Sequence, residues 1–424
     1  MTDKINACVL LIGSSESYHL EPFTKTVHQA DPSIRFEIVG LRKFGEDKSA
    51  ELAGVRSAIE TTHAPVQVTN QIIRISVRLI WLAQRATTRL MIKSGLLSSA
   101  WAITCQTLIS RLKGRAVAAP FRAIERNVDL LHLHSLFDTH ALHWIANNRL
   151  SKPLVISCYG SDVLRLADPA LTLIQQAVMK KAAAITVTGP EFREIVLSKY
   201  GRDLDGRICN AFYSPCVEPY VEGDRVAARH RIDVFLGSRT DQKLVMIGHN
   251  GFSQNQHLKI LSSLAHIPEK AREKWFLIIP MGYGSDEVYR SEVETRMKQI
   301  GSGVVIHHFL SDEKLVDLRL ATDVLIYTPI SDAFSATVSQ ALAAGSTIIL
   351  GSWLPYKLRL RAGFRYLEID SPDEAGAALL EVVDAHESWQ ETCASNRQIS
   401  RDFFDAIRVG TEWAQIYRKS MALS

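Results

Sequence analysis

Short apolar runs recur along the chain, each followed by a stretch with helical spacing. In the first half they read NACVLLIG, RFEIVGL, VDLLHLH, KPLVISCYG and AAITVTG. In the second half they read KLVMIGHN, KWFLIIPMG, GVVIHHF, DVLIYTP and STIILGS. The runs do not alternate and turn residues bound them, the mark of strands buried on both faces of a parallel sheet. Two sets of five predict an α/β chain of two doubly wound, Rossmann-like domains, with binding crevices at the carboxyl ends of the strands. Proline, glycine and charge cluster in SPCVEPYVEG (214–223), so the domains are placed at 1–215 and 224–395, with amphipathic helix over 396–424.

A chain of 424 residues exceeds one comfortable core, which agrees with two domains. With 46% apolar and 22% charged residues, wholesale disorder is excluded. A net charge of +4 is too small to imply nucleic acid. Cys8, Cys105, Cys158, Cys209, Cys216 and Cys393 are scattered without a CxxC pair, which fits reduced thiols in a cytosol. The opening MTDKINACVLLIGSS fits a first strand better than a signal peptide. No run of about 20 uninterrupted apolar residues predicts a membrane-crossing helix.

Charge is uneven, however. Residues 72–126 hold ten Lys/Arg and one acid, Glu125. On a helical wheel Arg74, Arg78, Arg85 and Arg89 fall within about 60° of one another, opposite Ile72, Ile73, Leu79, Ile80, Leu90 and Met91. Such a basic amphipathic helix, with Trp81 and Trp101 at headgroup depth, suits an anionic membrane surface. The plain alternative is an ordinary surface helix with its apolar face on the core. Aromatics are not interleaved with the arginines as nucleic acid would require.

Candidate chemistry concentrates in the second half. SDAFSATVSQALAAG (331–345) reads as a strand-to-helix loop, with Ser335 and Thr337 in the first turn of the helix. Unpaired N–H groups and the helix dipole there would make an anion site suited to a diphosphate. Asp332 ahead of that terminus would accept hydrogen bonds from sugar hydroxyls, and Gln340 would reach a ribose. The plain alternative is a well-capped helix packed on a sheet through Ala341, Ala343, Ala344 and Gly345. Gly248, Asn250 and Gly251 lie in a second strand-to-helix loop, Gly282 and Tyr283 in a third, with Phe309 after the next strand. Glycines let a backbone approach phosphate closely. Neither GxGxxG nor a Walker signature is present.

In the first half, His132 and His134 are read as facing opposite sides of a strand, one into packing and His134 toward the open end. His140 and His143 on the next helix make a metal cluster imaginable, though no cysteine is near and no metal is expected. CYGSDVL supplies Tyr159 and Asp162, the latter capping the following helix or reaching the same crevice.

These pieces in this order resemble a GT-B glycosyltransferase: two Rossmann-like domains with a cleft between them, especially the large retaining family with a Glu-x7-Glu motif. Asp332 and Gln340 stand at the two ends of that motif. The HLH strand resembles the family's H-x-H, whose second histidine, here His134, lines the donor-sugar site. YGSDV resembles its HGxD turn, with Tyr159 where histidine is usual. LLIGSSESYHLEPF matches the acceptor-side glycine loop, which brings in Gly13, Ser14 and His19. A C-terminal helix crossing back to the first domain is a habit of that family. Residues 245–350 are also similar to TDP-4-acetamidofucose transferases acting on a polyprenyl-linked glycan. The phosphate-gripping Arg and Lys of the larger family are missing from the 248–260 loop, apart from Lys259, so phosphate charge would rest on helix termini, amides and an Arg or Lys of another segment, such as Lys357 or Arg359.

The resemblance implies an enzyme moving a sugar from a nucleotide-sugar, as substrate rather than cofactor, to a lipid-linked or polysaccharide acceptor. His134 and Asp332 would be catalytic, the configuration retained, and no metal needed. The enzyme would sit peripherally on the cytoplasmic face of the membrane through 72–126. A degenerate relative acting as a binding partner, or an epimerase or phosphorylase on the same fold, remain the alternatives.

Overall fold

The computed structural model describes residues 7–13, 20–40, 111, 125–165, 168–211, 217–284 and 287–423. The chain divides into two compact units, Met1–Tyr213 with Ala406–Ser424, and Ser214–Asp405. Ser14, His19 and nearly all of 72–126 lie outside the described residues. Among the described residues no helix is long and apolar enough to cross a membrane.

The first unit holds β1 (Ala7–Gly13), β2 (Ile34–Gly40), β3 (Leu130–Leu133), β4 (Leu154–Ser157), β5 (Ala184–Val187) and β6 (Ile208–Asn210). All pairs are parallel and the order is β2-β1-β3-β4-β5-β6. Helices α1 (Leu20–Ala30), α2 (Thr139–Asn147), α3 (Pro169–Met179) and α4 (Pro190–Tyr200) provide its crossovers. The order reverses between β1 and β3, so their carboxyl ends diverge into a crevice.

The second unit repeats the plan with β7 (Lys243–Ile247), β8 (Trp275–Pro280), β9 (Gly303–Ile306), β10 (Val324–Tyr327), β11 (Thr347–Gly351) and β12 (Leu367–Ile369). Its order, β12-β11-β10-β7-β8-β9, reverses between β7 and β10. The helices used below are α5 (Arg225–Leu236), α6 (His257–Ala265), α7 (Glu287–Ile300), α8 (Asp312–Ala321), α9 (Ala336–Ala344), α10 (Lys357–Arg361), α11 (Ala375–Asp384) and α12 (His386–Phe403). One continuous core joins Val245, Ile247, Trp275, Leu277, Ile279, Ile326 and Ile349 to Ile260, Leu264, Val293 and Leu379 on the helices.

The ten expected strands all form. Two more, β6 and β12, close the sheets. Each has three residues and lies at an edge, with few of its side chains buried, so no long apolar run announces it.

The chain re-enters the first unit at Ala406 rather than at residue 396. Helix α12 runs unbroken to Phe403 within the second unit, and only α13 (Ala406–Ala422) belongs to the first. Trp413 and Tyr417 of α13 are buried there, and Arg418 bonds Asp31 Oδ2 at 2.9 Å through Nε. At Gly410 the helix comes so close to α1 that an added Cβ would lie 2.8 Å from Ala30 Cβ and closer still to the Thr26 carbonyl oxygen. Gly410→Ala should therefore push α13 off α1 and cost about 1–3 kcal/mol in urea unfolding. A variant as stable as the parent would show that this approach tolerates a methyl group.

Candidate functional site

In the second unit three loops meet at the carboxyl ends of β7, β8 and β10. Gly248 leaves β7 with φ of +66°, in the left-handed region that suits glycine. A Cβ there would also stand 3.0 Å from His257 Nε2. The loop from β7 is bound to that from β10 by Gln256 Nε2 donating to Thr328 O at 2.7 Å and Ile330 N donating to Gln254 O at 2.8 Å. Gly251 N donates to Tyr283 O at 2.8 Å, tying in the loop from β8.

Asn250 does not hold its amide open to a ligand. Its Nδ2 donates to His249 Nε2 at 2.6 Å and its Oδ1 accepts from Phe252 N at 3.0 Å and Asn255 Nδ2 at 2.7 Å. The amide shapes the loop. Gly282 allows the β8 and β9 loops to close up, since a Cβ there would meet His308 O at 2.8 Å. Beside it Tyr283 and Phe309 lie parallel, centroids 5.4 Å apart, and Phe309 is 73% exposed. Parallel, exposed rings of this kind offer a face to another planar group.

The loop from β10 turns into α9. Ser335 is the N-cap, its hydroxyl accepting from Val338 N at 3.3 Å. Ala336 and Thr337 lie too near the terminus for their N–H groups to find an intrahelical acceptor. The Thr337 hydroxyl turns away, receiving Arg319 Nη2 of α8 at 3.4 Å. Asp332 is half-buried before the terminus, and its Oδ2 accepts a hydrogen bond from the Tyr356 hydroxyl. Gln340 is buried within α9.

Sequence reasoning did not find Tyr356. Its hydroxyl also accepts from Ser335 N at 2.8 Å, and burial together with the Asp332 charge holds its pKa well above the usual phenol value. Nor did it find His257, wholly buried at the start of α6, where Nδ1 faces the Tyr289 hydroxyl at 3.1 Å. Only tertiary placement distinguishes either residue from an ordinary helix-opening side chain.

In the first unit His134 follows β3, and its N–H donates to Ile12 O at 2.9 Å, beside Gly13 of β1. The expectation that His132 and His134 face opposite sides is wrong. Residues two apart on a strand share a face, and the rings are 5.5 Å apart. His132 is the structural member: Nδ1 faces Tyr417 Oη at 2.9 Å and Nε2 faces Ser157 Oγ at 2.7 Å. Burial, and then the neighbouring His134, pushes its pKa well below the usual value, so it stays neutral. The Tyr159 hydroxyl reaches the His134 ring, 3.0 Å from each nitrogen.

Asp162 is fully buried, and its carboxylate accepts from Leu136 N at 3.1 Å, Tyr159 N at 3.0 Å and Gly160 N at 2.9 Å. It ties the turns after β3 and β4 together and so sets where His134 and Tyr159 stand. Burial raises its pKa, opposed by these N–H groups.

Comparison with known proteins bears on the fold and the family. Residues 52–206 match the Glycosyl transferase 4-like domain family. A D-inositol 3-phosphate glycosyltransferase of Xylanimonas cellulosilytica is 24% identical over 245 residues, 52% of this chain and 55% of that protein. The match thus spans about half the length of this curated relative. Among solved structures, sucrose-phosphate synthase from Thermosynechococcus elongatus superposes with a TM-score of 0.67 at 12% identity, covering 99% of this chain and 100% of that one. Anabaena HepE in complex with UDP and glucose superposes with a TM-score of 0.65 at 11% identity, covering 96% and 98%. These likenesses show the fold: two parallel-sheet Rossmann-like domains, as in GT-B glycosyltransferases.

Burial of His257 has a consequence for stability. Burial pushes its pKa from 6.5 down to about 4, so the folded chain keeps it neutral where the unfolded chain protonates. Stability is therefore lost as pH falls from about 6.5 toward about 4. His257→Gln should lose less stability than the parent between pH 7 and pH 5 in urea titrations. Equal losses would show that His257 does not contribute to acid lability.

Proposed function

We propose that this GT-B chain is a glycosyltransferase whose second unit holds a nucleotide-sugar donor and whose first unit holds the acceptor. One observation carries the reading: the N-terminus of α9 opens where the strand order reverses, with Asp332 before it and Gln340 within it at the Glu-x7-Glu spacing. The match of 52–206 to a glycosyltransferase domain supports it, as do neighbours solved with UDP or UDP-glucose.

As the bond from sugar to diphosphate breaks, negative charge grows on the phosphate oxygens. The N–H groups of Ala336 and Thr337 are fixed in advance where that charge develops, which favours the transition state over the ground state. Asp332 accepts from donor-sugar hydroxyls and Gln340 meets the ribose. Gly248, Gly251 and Gly282 admit the backbone close to the donor, while Tyr283 and Phe309 offer their rings to the base. His134, held by Tyr159, is the first unit's candidate for the reaction, and Gly13, Ser14 and His19 serve the acceptor. Charge met by backbone N–H groups leaves no step that requires a metal.

In the finer reading, anomeric configuration is retained and the acceptor is lipid-linked or a polysaccharide of the cell surface. The arginine stripe of 72–93 supports placement on the cytoplasmic face of an anionic membrane. The loop at 248–256 carries no Lys, Arg, Asp or Glu, and its similarity to TDP-4-acetamidofucose transferases makes dTDP the first base to try. A second reading, a degenerate donor-binding partner protein, is favoured by the Tyr356 hydroxyl already occupying the Asp332 carboxylate.

Thermal unfolding with millimolar UDP, GDP, dTDP or ADP, without metal, tests the donor site. Ligand at 100 times its dissociation constant adds about 2.7 kcal/mol to the native state. One nucleotide should raise the melting temperature, and silence from all four would sink the transferase reading. Asp332→Ala should lower turnover roughly 100-fold while nucleotide still binds. An unchanged rate removes Asp332 from the reaction, and binding with neither transfer nor donor hydrolysis in the parent favours the partner reading. Glutamine at Arg74, Arg78, Arg85 and Arg89 should release the protein from phosphatidylserine-containing vesicles. Persistent vesicle binding would assign membrane contact elsewhere.

A further inference from the structure

Arg359 of α10 is wholly buried, and no carboxylate among the described residues pairs with it. Its guanidinium lies between two rings, 4.2 Å from the Phe334 centroid and 4.3 Å from that of Tyr356. Nη2 donates to Ser335 O at 3.0 Å and to Ser339 Oγ at 2.7 Å, while Nε and Nη1 are buried without a hydrogen-bond partner. A buried cation with spare donors is costly unless an opposite charge approaches it. This one sits directly behind the N-terminus of α9, whose own dipole also favours an anion. The same short segment supplies Tyr356, whose hydroxyl joins Ser335 N to the Asp332 carboxylate.

Asp332 poses an electrostatic difficulty for an anion site. A carboxylate at the entrance repels a diphosphate, and the loop at 248–256 carries no side-chain cation to offset it. Arg359 is placed to do so from beneath, stacked on the tyrosine that holds Asp332.

We propose that Arg359 is a positioning residue for diphosphate recognition: it holds the 332–339 turn and offsets the Asp332 charge, so that acid and diphosphate occupy neighbouring places. The proposal rests on the donor-site reading above. It assigns to a side chain after β11 the balancing charge that Arg and Lys of the 248–260 loop supply in the family this chain resembles.

Calorimetric titration of the full chain tests it. The probes are the nucleoside diphosphate that most stabilises the parent and its nucleoside. Arg359→Met should weaken the diphosphate by about tenfold or more and leave the nucleoside within about twofold, because a lost charge-assisted interaction acts only on the charged ligand. Arg359→Lys should fall between. Adding Asp332→Asn to Arg359→Met should restore much of the loss, since the repulsion is then gone. An unchanged diphosphate affinity in Arg359→Met, a parallel loss of both ligands, or no recovery in the double variant would each overturn the proposal.

If Arg359→Met does not fold, Tyr356→Phe, which deletes one oxygen, carries the test. The same selective loss is expected, and a parallel loss or none overturns the proposal. A parent that binds none of the four diphosphates fails the donor reading and this inference together. A parent that binds one, with variants unaffected, fails the inference alone.

Discussion

The turn from β10 into α9 is held from below by a guanidinium pressed between Phe334 and Tyr356, and the candidate donor site depends on that support. Arg359 fixes the carbonyl of the N-cap, and Tyr356 fixes its N–H. With both backbone groups of Ser335 engaged, α9 can start in only one direction. Asp332 is brought back against the same turn by the Tyr356 hydroxyl. The remaining loops then fasten to this one, through Gln256 onto Thr328 and Trp353 onto Pro329, so the crevice at β7 and β10 is a braced assembly of turns.

The first unit reaches a comparable rigidity by another route. Its support comes from the far end of the chain, where Tyr417 of α13 faces His132, which in turn faces Ser157, itself 2.9 Å from Thr186 Oγ1. Each member is buried and satisfied, so the network fixes the strand ends. Asp162 then joins the turns that carry His134 and Tyr159. In both units the residues nearest the expected chemistry are placed by buried polar groups of neighbouring turns. Positioning is costly in conformational entropy, and a crossover fold meets that cost with backbone hydrogen bonds from neighbouring turns.

Some site features were legible in residues close together in sequence. The N-cap Ser335 and the apolar face of α9 follow from SATVSQALAAG, and the glycine at 248 announces a turn that other residues resist. Others were not. Asn250 reads in sequence as a group open to a ligand, and Asp162 as a helix cap or a crevice group, yet the acceptors of both are filled by N–H groups of their own and neighbouring loops. Thr337 opens the helix as expected, yet its hydroxyl serves Arg319. A polar side chain in a loop has the same composition whether it meets a ligand or its own backbone.

The sequence by itself determined the ten longer strands, their burial on both faces, and the division into two doubly wound units. Those are properties of local runs, in which hydrophobic transfer and chain stiffness act over a few residues. It also determined the Asp332–Gln340 spacing. Tertiary structure decided the edge strands β6 and β12, the return at Ala406, and the common face of His132 with His134 and α13. It alone decided that Tyr356 and Arg359 stand behind the start of α9, although they follow it in the chain. Contacts made across the ends of a parallel sheet join residues distant in sequence, and no local pattern encodes them.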